Sequence, residues 1–282
     1  DYIPAISYEE LKKLIKNYDA VVVRGRTKIT KEILEHADAL KIIARVGVGL
    51  DNIDVSTAKN KGIEIITAGA ATANSVAELT IGLMINLTRP IIFGEESMRR
   101  GFWTKSMCIG RELYGKVLGI IGLGNIGSRV AQIAKAMGLK VIGYDVIREK
   151  VDEAGVDYYD FDNLLESSDI ISLHVPLLSS TKGMISKREI EKMKNGVLII
   201  NTARMELIDL EALIWGLETG KIGGYAADSN LKPTNPYIKR LLGFPNVILT
   251  PHIGAQTIEA QKRAAEVVFS NLTRKLKEFI LR

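Results

Sequence analysis

Two basic side chains stand just beyond short apolar runs. Arg204 closes Asn201-Thr202-Ala203-Arg204 after the run Val197 to Asn201, and His252 opens His252-Ile253-Gly254 after Val247 to Thr250 and Pro251. An arginine can grip a carboxylate or a developing alkoxide with a forked pair of N–H donors, and a histidine can exchange the proton that must accompany a hydride. Together they suit the interconversion of a hydroxyl and a carbonyl. Such chemistry needs a hydride carrier, so the next question is where a nucleotide could bind.

The stretch Gly115 to Asp145 answers it. Val117 to Ile121 reads as a strand, Gly122-Leu123-Gly124-Asn125-Ile126-Gly127 as a tight turn, and Val130, Ile133, Ala134 and Met137 as one face of a helix that ends at Gly138. A second strand, Lys140 to Tyr144, stops on Asp145, 18 residues beyond Gly127. In a dinucleotide site Gly122 permits the turn, Gly124 lets the backbone approach a pyrophosphate, and Gly127 lets helix and strand pack closely. The helix N-terminus then presents N–H groups to the phosphates. A carboxylate at Asp145 accepts from ribose hydroxyls and repels a 2′-phosphate, which selects NAD over NADP.

The remaining elements must position these groups. Tyr2-Ile3-Pro4 reads as the tail of a strand leading into a helix, Tyr8 to Lys16, with more chain expected upstream. Strands follow at Ala20 to Arg24, Lys41 to Ala44 and Ile63 to Thr67, with a helix at Lys31 to His36 that Thr30 caps. The loop Arg45-Val46-Gly47-Val48-Gly49 beside Leu50 to Asp54 can hold a small carboxylate or phosphate on its N–H groups. It also reads as a plain turn with Asp54 as a helix cap. A helix at Ser75 to Leu87 ends before Pro90, and residues 91–114, irregular in pattern with Phe102, Trp103, Met107 and Ile109, read as an arm that packs on a partner. Further strands, Ile170 to His174 and Gly224 to Asp228, alternate with helices at Lys187 to Met193 and Asp209 to Thr219, and Glu259 to Leu281 closes the chain as a helix. This alternation predicts an α/β fold with two doubly wound parallel sheets, the central one a Rossmann NAD-binding domain. Residues just after its strands, His174-Val175-Pro176, Thr202, Ala203 and Asp228, are where ligands bind in such sheets.

Composition narrows the classes. With 282 residues, 46% hydrophobic and 25% charged, the chain has room for two domains of an ordinary globular protein. A net charge of +5, spread rather than clustered, suits anionic small molecules and not nucleic acid. The longest stretch without a charged residue, Leu241 to Ile258, contains Pro245 and Pro251 and is no membrane span. No signal peptide is visible, and one cysteine, Cys108, precludes an internal disulfide and, with three scattered histidines, a Cys/His metal cluster. A cytoplasmic protein is expected.

The chain resembles the D-2-hydroxyacid dehydrogenase family, and most its D-3-phosphoglycerate dehydrogenase branch, over nearly its whole length. The likeness rests on ARVGVGLDNIDV at 44–55, NSVAELTIGLM at 74–84, the segment 102–127, HVPLLSSTKGMI at 174–185, NTARMELIDLEAL at 201–213 and NVILTPHIGAQTIEAQ at 246–261. It implies a substrate domain split between 1–88 and 258–282, an NAD domain over 89–257, and a homodimer formed through the latter and its arm. It implies His252 as acid/base and Arg204 as the arginine that orients the substrate. Gly47, Val48 and Gly49 would cradle the substrate carboxylate, Arg45 would meet a phosphate, and Asn74 would contact substrate or the hinge. The NAD contacts implied are Gly122, Gly124, Asn125, Ile126, Gly127, Tyr144, Asp145, His174, Val175, Pro176, Thr181, Thr202, Ala203, Arg204, Asp228, His252 and Gly254, with Asp228 on the nicotinamide carboxamide.

The implied reaction is oxidation of D-3-phosphoglycerate to 3-phosphohydroxypyruvate, the first step of serine biosynthesis, without a serine-sensing domain after the closing helix. Glyoxylate or hydroxypyruvate reduction is the sister reading, and an NAD(H)-binding sensor or interaction protein the reading of a different class. Two departures stand out. The family carries a glutamate before a proline that hydrogen-bonds the histidine, whereas Asp228-Ser229-Asn230-Leu231-Lys232-Pro233 is one residue shorter and has Lys232 there. The family's arginine is followed by glycine, whereas Arg204 is followed by Met205-Glu206. Lys232 cannot accept an imidazole N–H, so Glu206 or another nearby acid is the expected substitute.

Overall fold

The computed structural model describes residues 1–280; Leu281 and Arg282, to which the sequence carries the closing helix and its domain, lie outside the described residues. Two compact units result, one made of residues 1–72 and those from 255 onward, the other of 73–254. The division therefore falls at 72/73 and 254/255 and not at 88/89 and 257/258. The helix Ala73–Thr88 decides it, since Ala77, Ile81, Leu83 and Met84 are buried in one cluster with Leu118, Ile120, Val130 and Ala134 of the larger unit.

In the smaller unit, β1 (Ala20–Val23), β2 (Ile42–Arg45) and β3 (Glu64–Thr67) form a parallel sheet in that order, with Val21 opposite Ile43 and Ile43 opposite Ile65. Alternation along β2 sends Ile43 to one face, where it meets Leu11, Ile33, Leu34 and Ala58 from the helices Tyr8–Leu14, Lys31–Glu35 and Val55–Asn60. Ile42 and Ala44 point to the other, against Ala264, Val268 and Leu272 of the closing helix Ile258–Ile280. Ser7, Thr30 and Asp54 cap the three short helices through their side chains, each cap worth about 1 kcal/mol. Tyr2-Ile3-Pro4 forms no strand. All three residues are exposed, and the proline has no N–H to give a ladder.

The larger unit holds seven parallel strands: β4 (Val117–Ile121), β5 (Lys140–Tyr144), β6 (Asp157–Tyr158), β7 (Ile170–Leu173), β8 (Val197–Asn201), β9 (Ile222–Asp228) and β10 (Val247–Thr250). Their order is β10-β9-β8-β7-β4-β5-β6. The chain runs outward from β4 to β6, then returns to β7 and runs outward the other way, so the order reverses between β4 and β7. Helices Ala73–Thr88 and Asn125–Ala136 cover one face. Phe161–Ser167, Lys187–Lys192, Leu210–Glu218 and Pro236–Leu241 cover the other, around the fully buried Tyr225. Residues 91–114 are more regular than their pattern suggests, because Ile91–Arg99 is helical. Phe102, Trp103, Met107 and Ile109 beyond it are exposed, Ile109 to 85%. Among the described residues no single helix is long and apolar enough to cross a membrane.

Candidate active site

The reversal between β4 and β7 opens a crevice at the carboxyl ends of the strands, where open parallel sheets bind ligands. Gly122 leaves β4 there with φ 96°, its N–H donating to the Tyr144 carbonyl at 2.8 Å. A β-carbon on it would lie 2.8 Å from the His174 backbone, and one on Gly127 would collide with the Gly122 carbonyl. Gly124 differs: a β-carbon there would meet nothing within 4 Å, so protein packing gives no reason for a glycine. It is also the N-cap of Asn125–Ala136, and no side chain caps that helix. The first N–H groups of Asn125, Ile126 and Gly127 thus stand where a pyrophosphate would sit.

Asp145, buried beyond β5, accepts from Leu123 N at 2.9 Å and Ile147 N at 3.0 Å, one bond to each oxygen. It braces the glycine turn and retains a lone pair on each oxygen for a ribose hydroxyl. The residues therefore fit NAD. His174 follows β7 with its backbone N–H on the Ile121 carbonyl at 2.8 Å and its Nε2 2.8 Å from the Ser172 hydroxyl. Burial pushes its pKa down to about 3, so the ring is neutral and not a cation. Thr181 accepts from Leu178 N and donates to the Pro176 carbonyl at 2.6 Å, shaping the Val175-Pro176 turn. The Thr202 side chain turns away from the expected role, because its hydroxyl is buried 2.9 Å from that of Thr80. A cofactor contact at Thr202 or Ala203 would come from the backbone.

The histidine loop is held more firmly than its sequence suggests. His252 is the one non-glycine residue with positive φ among the described residues, at 55°, and its ring is exposed. Asp228, only 4% exposed at the end of β9, takes the Thr250 hydroxyl at 2.6 Å and the N–H groups of Ile253 and Gly254 at 2.7 Å each. Ser75, also buried, donates to the Gly254 carbonyl at 2.6 Å. Three of the roughly four acceptor sites of the Asp228 carboxylate are thus filled by the loop, which leaves at most one for a carboxamide. Left-handed backbone at a non-glycine residue is rare and clusters at functional sites.

Arg204 sits in a turn fixed from behind by Asn201, whose amide accepts from Ala203 N and donates to the Arg204 carbonyl at 2.8 Å. Its guanidinium donates to the Ala203 carbonyl at 2.8 Å. Glu206 bonds through both oxygens to Asn230 Nδ2, at 3.0 and 3.2 Å, and among the described residues its side chain makes no hydrogen bond to the histidine. Lys232 is exposed. Sequence reasoning had no signal for Asn230 or Ser75.

In the smaller unit Arg45 is the last residue of β2 and not part of the loop. Its guanidinium donates to the Val46 carbonyl at 2.9 Å and lies against Gly47, where a β-carbon would collide with it. Val48 and Gly49 continue the loop, and Asp54 is the helix cap, accepting from Thr57 N at 2.9 Å. Both readings of this loop are thus compatible with its geometry. Asn74 lies in the larger unit, exposed in the first turn of Ala73–Thr88.

Glycine turn, the buried acid Asp145, arginine and histidine all lie at the carboxyl ends of the larger sheet's strands, and chemistry that needs a nucleotide and a proton carrier there is hydride transfer. The class is that of dinucleotide-dependent oxidoreductases. Comparison with known proteins narrows it. Residues 81–254 match the family model for the NAD-binding domain of D-isomer specific 2-hydroxyacid dehydrogenases. The chain is 47% identical over 272 residues to a hydroxypyruvate reductase of Thermotoga maritima, covering 94% of this chain and 88% of that one. It is 44% identical to a D-3-phosphoglycerate dehydrogenase of Methanocaldococcus jannaschii, covering 96% of this chain but only 52% of the relative, about half its length. Among solved structures, a glyoxylate reductase from Paecilomyes thermophila is 35% identical with a TM-score of 0.85, over 94% of this chain and 84% of that one. A D-lactate dehydrogenase from Aquifex aeolicus, complexed with NAD and lactic acid, is 34% identical with a TM-score of 0.84, over 95% and 85%. The chain belongs to the D-isomer specific 2-hydroxyacid dehydrogenase family of NAD-dependent oxidoreductases.

Proposed function

We propose that this enzyme reduces hydroxypyruvate to D-glycerate with NADH. The observation that carries the chemistry is the Asp228-clamped loop that presents an exposed His252 ring on the nucleotide edge of the sheet. NAD(H) on the Gly122 to Gly127 turn supplies the hydride acceptor or donor. His252 delivers the proton to the carbonyl oxygen as it becomes a hydroxyl, and takes it back in the oxidative direction. Arg204 binds the carboxylate and polarises the carbonyl. Asn74 orients the substrate. The substrate choice is supported by the similarity to a hydroxypyruvate reductase over most of its length, and by Arg45 turning its guanidinium back on the Gly47 loop.

Oxidation of D-3-phosphoglycerate, ranked first on the sequence alone, is the second reading. It is supported by the similarity to D-3-phosphoglycerate dehydrogenases. We assign the exposed arm, residues 91–114, to a homodimer contact. The test is NADH consumption by purified protein with hydroxypyruvate or glyoxylate, and NADH formation with D-glycerate or D-3-phosphoglycerate at alkaline pH. Turnover of the unphosphorylated pair at least tenfold more efficient than of phosphoglycerate is the expected result; the opposite preference moves the assignment to the second reading.

A further inference from the structure

The two places where this chain departs from its family's pattern near the catalytic arginine, Met205-Glu206 and the shortened 228–233 segment, meet in space. Asn230 joins them: its Oδ1 accepts from Met205 N at 3.0 Å, and its Nδ2 donates to the Glu206 carboxylate at 3.0 and 3.2 Å. Met205 is itself buried, with its sulfur accepting from the Tyr225 hydroxyl at 3.3 Å. Arg204 is therefore bracketed, by Asn201 on its own strand end and by Asn230 across the sheet edge.

We infer that Asn230 and Glu206 are a positioning pair that sets the Arg204 backbone, so that the substrate specificity of this enzyme depends on a hydrogen bond between two segments that each depart from the family's pattern. Glycine after the arginine would leave that turn free to adjust, whereas Met205 and Glu206 carry side chains that must be held. The Asn230 amide holds one by its backbone and the other by its charge. A hydrogen bond to an ionised carboxylate is roughly twice as strong as a neutral one, which makes Glu206 the better anchor. The inference rests on Arg204 as the residue that grips the 2-oxo acid.

The arrangement can be broken and rebuilt. Asn230→Asp keeps an oxygen for Met205 N but faces Glu206 with a second carboxylate. Adding Glu206→Gln supplies an amide that donates to the introduced carboxylate, restoring the link with its direction reversed. The expected result for Asn230→Asp is a KM for the 2-oxo acid raised about tenfold, the scale of one lost charge-assisted bond, with the NADH dissociation constant unchanged. The double variant returns to within about threefold of the native KM, since the bond is restored. Hydrogen exchange of the peptide spanning 202–208 reads the same turn without turnover. It quickens in Asn230→Asp and recovers in the double variant. A native KM and native exchange in Asn230→Asp, or a double variant as impaired as the single one, overturns the pair. Absence of turnover in the native protein would count against the assigned reaction instead, and the exchange experiment would still decide the pairing.

Discussion

Replacing Asp228 by Asn tests whether the carboxylate clamps the histidine loop. The amide can keep one oxygen, facing the Thr250 hydroxyl and Ile253 N, but its nitrogen then faces the Gly254 N–H, 2.7 Å from the atom it replaces. One charge-assisted bond is lost, a buried donor is left against another donor, and the two remaining bonds lose the carboxylate's charge. A hydrogen bond to a charged group is worth about 1.5–3 kcal/mol and an orphaned buried donor costs about 1–3 more. Allowing for relaxation of the loop, a loss of about 2–4 kcal/mol follows, or roughly 30- to 1000-fold if all of it falls on the arrangement needed in the transition state. The assay is kcat/KM for 2-oxo acid reduction, beside NADH titration and hydrogen exchange at residues 253 and 254. The expected result is a fall in kcat, faster exchange at both amides and a small change in NADH affinity. An Asp228→Asn enzyme within about threefold of native kcat/KM, with protected amides, refutes the clamp, because a lost bond of this kind is worth more than that. Weakened NADH binding with native exchange would return Asp228 to the carboxamide alone.

Other outcomes follow from the same geometry. Gly124→Ala has open space around its β-carbon and an ordinary φ, so the melting temperature stays native while NADH affinity falls at least tenfold, roughly the scale of losing close backbone approach to the pyrophosphate. Gly127→Ala collides with the Gly122 carbonyl and loses both; equal behaviour of the two variants in calorimetry and fluorescence titration contradicts the assignment. Burial holds the His174 pKa at about 3 against 6.5 when unfolded, so the unfolded state binds the extra proton. Its contribution to stability is complete above about pH 6.5 and is lost as pH falls from there towards 3. His174→Asn should flatten the fall in denaturant-derived stability across that window, and an unchanged slope would show that the ring is not the group responsible.

The dinucleotide half of the site was legible because its signals are local. A β-branched run, glycines at fixed offsets and an acid at the next strand end are all read within about thirty residues of chain, as the fingerprint requires. The strand ends that carry Arg204, Asp228 and His252 were legible for the same reason. What was not legible depends on contacts between distant segments. The helix Ala73–Thr88 follows β3 in sequence and reads as part of the first sheet, yet its apolar residues belong to the core around Leu118 and Val130. The helix Ile91–Arg99 was hidden by three consecutive apolar residues and an internal Gly94, which give no clear period. The sequence offers Glu206 as the histidine's substitute partner, whereas the folded course of 228–233 brings Asn230 to its carboxylate. The sequence offers Arg45 as a phosphate contact, and the position of its guanidinium over Gly47 is visible only once the loop is built.

The most direct test of the central claim is stereospecific turnover by the native protein beside His252→Asn, a substitution chosen because asparagine tolerates the left-handed backbone at that position. Native protein should oxidise NADH with hydroxypyruvate and yield D-glycerate, while His252→Asn binds NADH normally and loses roughly 100-fold or more in kcat, the scale of a missing general acid. Native protein that binds NADH but turns over no small 2-oxo or D-2-hydroxy acid, or a His252→Asn enzyme with native kcat, would contradict it.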